Sequence, residues 1–289
     1  IVLSALFTLG ISAKEKKKKE KSLDSIQKLD EVIISTTAIF GNKYVAKHRT
    51  GSAYYLSPKE IQKFGFTDVN RALRTVPGVT IYEEDGFGLR PNISLRGTSP
   101  ERSSKITLME DGILIAPAPY SASSAYYFPT IARIEAVEVL KGSSQVQYGP
   151  FTTGGAINMI SAQIPSEFGG KIRASYGSFN SSQLHAKIGG GNNTFGYVVE
   201  YLNYGSDGFK TLPSGKDTGF NKNDVLAKFA VNLFPNSRVK QSLEFKFQYS
   251  DEVGNETYIG LSEADFNANP FARYASSNED KMTTDHTQY

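Results

Sequence analysis

The chain has 289 residues, 39% hydrophobic and 21% charged, with 26 Gly, 18 Phe, 16 Tyr, no Trp and no Cys. The longest apolar stretch, Ile1–Ala13, falls short of the roughly 18–20 residues a spanning helix needs. Without cysteine there is no disulfide, thiolate zinc site, iron–sulfur cluster or cysteine nucleophile, and three scattered His (His48, His185, His286) make a poor metal set. The formal charge of +3 is local: six lysines and two glutamates in Lys14–Lys21 give +4, leaving the remainder at −1. A basic nucleic-acid-binding surface is therefore not expected.

In chain order, Ile1–Ala13 has the apolar run and small-residue exit of a signal-peptide remnant, and the lysine tract after it reads as a solvated linker. The end at Thr283–Tyr289 is abrupt, so the sequence reads as an internal piece of a longer precursor. Residues 38–168 read as a compact mixed domain. Ser57-Pro58-Lys59-Glu60 forms a capping box with proline at the first helical position. Thr67 is the expected cap of a second helix, Asp68–Thr75, which Pro77-Gly78 ends. Short strands follow at Val79–Tyr82, Asn92–Arg96, Ile106–Met109, Ile113–Ile115, Ala136–Leu140 and Ala156–Ile160, with Asp111-Gly112 as a hairpin turn.

From residue 169 to 289 the pattern becomes long alternation. Expected strands are Gly170–Tyr176, Gln183–Ile188, Phe195–Tyr204, Asp224–Leu233 and Val239–Tyr249. The last sets Leu243, Phe245, Phe247 and Tyr249 against Glu244, Lys246 and Gln248. Alternating segments of about ten residues are the signature of outer-membrane barrel strands, although a soluble sandwich alternates too. Short turns (Gly189–Asn193, Phe234–Arg238) and long loops (Gly205–Phe220, Ser250–Lys281) favour the barrel, with the polar face lining a wet lumen. Five strands and the start of a sixth cannot close, so the remaining strands are expected beyond Tyr289.

Leu29-Asp30-Glu31-Val32-Ile33-Ile34-Ser35-Thr36 resembles the TonB box of TonB-dependent outer-membrane receptors. Plug-like signatures follow in family order: Asp68–Val79, Ile93-Ser94-Leu95-Arg96-Gly97, Leu108–Gly112, and Ile134–Gly142 running through Gln147-Tyr148-Gly149 to Gly154–Asn158. The resemblance implies an α+β plug domain followed by antiparallel transmembrane β-barrel strands, the opening of a barrel of about 22 strands. Gly86–Asn92, Thr98–Ser104, Ala116–Tyr120, Tyr126–Pro129 and Glu256–Leu261 are similar to the ferric dicitrate receptor branch. Only 16 residues, Lys14–Leu29, lie between the expected signal cleavage after Ala13 and Asp30 of the box, so the implied variant lacks that branch's N-terminal signalling domain.

The implied activity is import of a ferric chelate across the outer membrane of a Gram-negative bacterium. The implied partners are TonB with its inner-membrane energising complex, the chelate and membrane lipid, with no nucleotide or redox cofactor. Asp30, Glu31, Val32, Ile33, Ile34 and Ser35 are the TonB-interaction candidates, because an extended segment can add a strand to a partner's sheet. The alternative for that segment is an ordinary first strand of the plug. Arg90 and Arg102 are the ligand candidates, since guanidinium matches carboxylate; Tyr120 and Gln145 are secondary ones. Arg96 is expected to be structural, paired with Glu110 or Glu138. No Walker or nucleophile-elbow motif is present, so an enzyme is not expected. Other siderophores or metal complexes, and a non-transporting surface binding protein, are the competing readings.

Overall fold

The computed structural model describes residues 38–63, 65, 67–115, 127–142, 147–149, 153–234, 236, 238–239, 241–255, 259–277 and 282–289. The signal remnant, the lysine tract, Asp30–Ser35, Tyr120 and Gln145 lie outside these.

The capping box forms as expected. Glu60 Oε2 accepts from Ser57 N–H (2.9 Å) and Oγ (2.7 Å), and α2 runs Pro58–Lys63. It follows α1 (Lys43–His48) and β1 (Ser52–Leu56), neither of which the patterning announces. The cap of α3 (Val69–Leu73) is Asp68 rather than Thr67: its carboxylate accepts the Asn70 N–H at 2.7 Å. A charged acceptor is the stronger partner for the unpaired donors at a helix start.

β2 (Val79–Tyr82) and β3 (Asn92–Leu95) form a two-stranded ribbon. The main sheet contains β4 (Ile106–Glu110), β5 (Ile113–Leu114), β6 (Ile134–Lys141) and β7 (Gly155–Ser161), in the order β1-β6-β7-β4-β5. Only the β4–β7 pair is parallel. The β4–β5 turn is Asp111-Gly112 with φ of 51° and 78°, two left-handed residues as a two-residue hairpin of matching twist requires. Gly155 opens β7 because a Cβ there would stand 2.0 Å from the Leu140 carbonyl oxygen.

Both faces of this sheet are covered. Leu73, Ile93, Leu95, Leu108, Val137, Val139 and Ile157 pack on one side, and Phe40, Tyr55, Met109, Leu140 and Ile160 on the other. That double burial explains why β6 and β7 read as near-continuous apolar runs rather than as alternation.

Six antiparallel strands follow, paired in sequence order as one open sheet: β8 (Gly169–Gly177), β9 (Ser181–Gly191), β10 (Phe195–Ser206), β11 (Phe220–Asn232), β12 (Ser242–Gly254) and β13 (Thr284–Gln288). Their polarity is inverted relative to a soluble sheet. Ile172, Tyr176, Phe245 and Phe247 are exposed on the outer face, at 55–78% of full accessibility, while Lys222, Asp224, Lys228 and Glu252 on the inner face are buried. An apolar band facing outward with polar residues inward suits lipid on one side. The expected wet lumen is corrected where the mixed domain occupies the inner face, since Lys222 and Lys228 are buried there. No described helix is long and apolar enough to cross a membrane, which says nothing about strands.

The β9–β10 and β11–β12 connections (192–194 and 233–241) lie at one end of the wall, and the long 207–219 and 255–283 loops at the other. In the latter, α4 spans Glu263–Ala268. The two long loops are clipped together: Thr211 N–H donates to Phe271 O (2.8 Å) and Arg273 N–H to Thr211 O (2.9 Å).

Candidate functional site

The β2–β3 loop, residues 83–91, reaches toward the long-loop end. One buried carboxylate shapes it. Asp85 Oδ1 accepts the N–H of Phe87 (2.6 Å) and Gly88 (2.7 Å), and its Oδ2 that of Arg90 (2.7 Å). This turns Phe87 outward onto the rings of Phe209 and Phe220, with centroids at 5.6 and 4.9 Å. Leu89 packs with Tyr204 and Phe220.

The two candidate arginines divide. Arg90 points to the wall: its Nη2 lies 2.7 Å from Glu252 Oε1, and Glu252 also takes Lys222 at 3.2 Å. Arg102 is exposed, in a short 3-10 turn (Glu101–Ser103) at φ 49°. Side chains hold that left-handed backbone. Asn92 Oδ1 accepts the Arg102 N–H (2.8 Å), and Ser103 Oγ accepts from Ile93 N–H (2.9 Å) while donating to Pro91 O (3.0 Å). The guanidinium is thus presented by a rigid loop, which lowers the ordering cost of binding an anion.

Arg96 does not form the expected pair. It is exposed at φ 55°, beside Gly142, and other groups satisfy both carboxylates proposed for it. Glu138 accepts backbone amides, and Glu110 is engaged by Arg133, a residue the motif reading passed over. The available signal for Arg133 was its place two residues after an apolar Ile131, next to the Ile134–Lys141 strand, which is weak.

Arg133 organises the domain–wall interface. Its Nη1 and Nη2 donate to the two oxygens of Glu110, both at 2.8 Å; Nη2 also reaches the Tyr127 hydroxyl at 2.9 Å, and Nε lies 3.9 Å from Asp224 on β11. The wall answers with lysines. Lys246 contacts Glu110 (2.7 Å) and Asp111 (2.8 Å), Lys228 contacts Asp111 (3.0 Å), and Lys222 donates to Phe128 O (2.8 Å). Thr130 donates to Asp224 (2.9 Å), Gln248 to Tyr127, and Lys187 to Glu135 (2.5 Å).

Burial alone would raise the Glu110 and Asp111 carboxyls. The Arg133 charge outweighs it for Glu110, and Lys228 with Lys246 outweigh it for Asp111, so both are held below the usual range. Their contribution is present above the unfolded carboxylate value of about 4 and is lost as pH falls through the depressed folded values.

Asp68 behaves oppositely. Burial, reinforced by Glu83 and Asp85, outweighs the Asn70 N–H and pushes its carboxyl up to about 6. A raised value means the folded domain holds the extra proton. The associated stability is full below about 4 and lost as pH rises through about 6. Asp68→Asn keeps a helix cap and removes the titration, so domain stability should lose its increase between pH 7 and 5. Urea unfolding at the two pH values checks this; an unchanged pH dependence contradicts the assignment.

Comparison with known proteins places this geometry. Residues 46–156 match the TonB-dependent Receptor Plug Domain family. The vitamin B12 transporter BtuB of Photobacterium profundum is 27% identical over 182 residues, which cover 62% of this chain and 29% of that protein. The unliganded ferric citrate transporter FecA superposes with a TM-score of 0.67 at 24% identity, covering 84% of this chain and 37% of that one. The ferric yersiniabactin uptake receptor FyuA from Yersinia pestis gives 0.58 at 25% identity, covering 72% and 32%. The mixed domain seated on the inner face of an outward-apolar strand wall has the architecture of these receptors, and the chain carries a TonB-dependent receptor plug domain followed by antiparallel strands like those of the receptor barrels.

Proposed function

We propose that the protein acts in the outer membrane of a Gram-negative bacterium as an energised import receptor for a ferric chelate, ferric citrate in the first instance. It is a transporter rather than an enzyme. The observation that carries this reading is the plug itself: a folded domain fills the inner face of the wall, held by buried ion pairs, while one of its loops leaves Arg102 exposed. A filled lumen passes solute only if the plug rearranges, so binding and passage are separate steps and the second needs work. Asp30–Ser35 is the segment on which TonB would pull.

The choice of citrate rests on the loop motifs around Arg90 and Arg102 and on the match of guanidinium to carboxylate. The names of the similar proteins include vitamin B12 and yersiniabactin as well as ferric citrate, and the class they share is a metal chelate or vitamin taken up from outside the cell. Arg102 is the direct contact in this reading. Arg90 must leave Glu252 before it can join, which would tie chelate binding to the plug–wall contact.

Binding and accumulation of radioactive ferric citrate, with unlabelled chelates as competitors, test the proposal. Deleting Asp30–Thr36 should abolish accumulation and leave binding intact. Arg102→Ala should weaken binding by about tenfold or more, the loss of one charge-assisted contact. Retained accumulation in the deletion overturns the transport reading, and unchanged affinity in Arg102→Ala overturns the site.

A further inference from the structure

Glu138 lies fully buried in β6, and among the described residues no cation faces it. Its carboxylate is instead filled by amides. Oε2 accepts from Ile39 N–H (2.6 Å) and Asn158 Nδ2 (2.9 Å), and Oε1 from Phe40 N–H (2.9 Å) and Gly41 N–H (2.7 Å). Three consecutive backbone donors converging on one anion form the concave site that proteins use for phosphates and other anions, here occupied by the protein's own carboxylate. Bonds to an ionised acceptor are roughly twice as strong as neutral ones. Beside them Phe40 is buried against Tyr55, ring edge to face at 6.2 Å, with Leu140 and Ala136 in the same cluster. The chain is therefore stapled over Ile39–Gly41 before it enters α1.

The position of the staple matters mechanically. In the plug sheet β6 lies between β1 and β7, with Glu138 opposite Tyr55 on one side and Asn158 on the other. A load arriving from residues before Ala38 meets this anchor before it can reach α1 or peel β1. We propose that Glu138 is the force-bearing anchor of the plug, the point where a pull on the N-terminal segment is delivered to the middle of the main sheet. This rests on the reading of Asp30–Ser35 as the pulled segment. Glu138 touches no substrate; it is a positioning residue.

The experiment uses the receptor in native outer membranes. These 289 residues contain no cysteine, so Ala38→Cys supplies a thiol just outside the staple whose labelling rate reports local opening. Glu138→Gln keeps the shape but sets an NH2 against N–H donors. In the double variant Glu138→Gln/Asn158→Asp, the carboxylate and amide exchange places, so the β6–β7 pair is satisfied again while the N-terminal amides lose their anion. Both variants should label about tenfold faster at position 38 and accumulate chelate about tenfold more slowly, with chelate affinity unchanged. If the role is only to satisfy the core, the double variant returns labelling and uptake to wild type, and the proposal is overturned. Raised labelling with normal uptake overturns it as well. Failure of the pulled-segment reading looks different: deletion of Asp30–Thr36 would then leave uptake intact, whatever position 38 reports.

Discussion

Arg133→Met should destabilise the plug by about 3–5 kcal/mol, the usual cost of breaking a buried ion pair from one side. Methionine matches the arginine stem in length and leaves little cavity, so the loss is electrostatic rather than one of packing. Glu110 would keep Lys246, at 2.7 Å, but lose a two-point partner. The Tyr127 hydroxyl would lose a donor, and Asp224 would keep only the hydroxyls of Thr130 and Ser250 among the contacts described for it. Two carboxylates with no exposure to speak of would share reduced compensation. The measurement is urea unfolding of the plug in membrane-embedded receptor, followed through a single introduced cysteine carrying a fluorophore. Arg133→Met/Glu110→Gln should recover part of the loss, because removing both charges is cheaper than stranding one. A single-variant loss under about 1 kcal/mol would falsify the view that this cluster holds the plug together.

What the sequence revealed of this site follows the range of the interactions involved. The Ser57–Glu60 box, the Asp111-Gly112 turn and the Val79–Tyr82 strand depend on neighbours within a few residues, and they appear where patterning puts them. The β11 start was hidden. Asn221–Asn223 is polar on both sides, with Asn221 and Asn223 joined to Asn203 and Tyr201 in a ladder near the rim, so alternation vanishes where neither face meets lipid. The start of β12 erred the other way. Val239 fits the alternation, but Leu233 N–H closes the turn onto Gln241 O at 3.0 Å, which leaves Val239 in the connection.

The ion-pair network was the least legible part. Lys228 and Lys246 stood out as a polar face, yet their partners Glu110 and Asp111 are more than a hundred residues earlier, and no local period joins them. Arg90 was found as a residue but not as a wall contact, for the same reason: Glu252 comes from a different domain. A lone sequence records which side chains are charged. Only the seating of one domain on another records which charges neutralise each other.

Asp111→Asn isolates that seating, and its expected cost is about 2–4 kcal/mol of plug stability. Asparagine tolerates the left-handed φ of 51°, so the hairpin turn survives, and its carbonyl can still accept the Ser161 N–H that Asp111 takes at 3.0 Å. The charge is what disappears. Lys246 retains Glu110, but Lys228, 2% exposed, has Asp111 as its one carboxylate among the described residues. A buried ammonium left beside an amide is the dominant penalty. Lys228→Met alone should cost less, because Asp111 keeps Lys246 and the Ser161 hydroxyl at 2.5 Å. In Asp111→Asn/Lys228→Met the stranded charge is gone, so the double variant should be more stable than Asp111→Asn, with a coupling of about 1.5 kcal/mol or more in the cycle. Additive losses would mean that Lys228 does not stabilise the plug through Asp111, and that Asp111 acts through the turn, Ser161 and Lys246 instead.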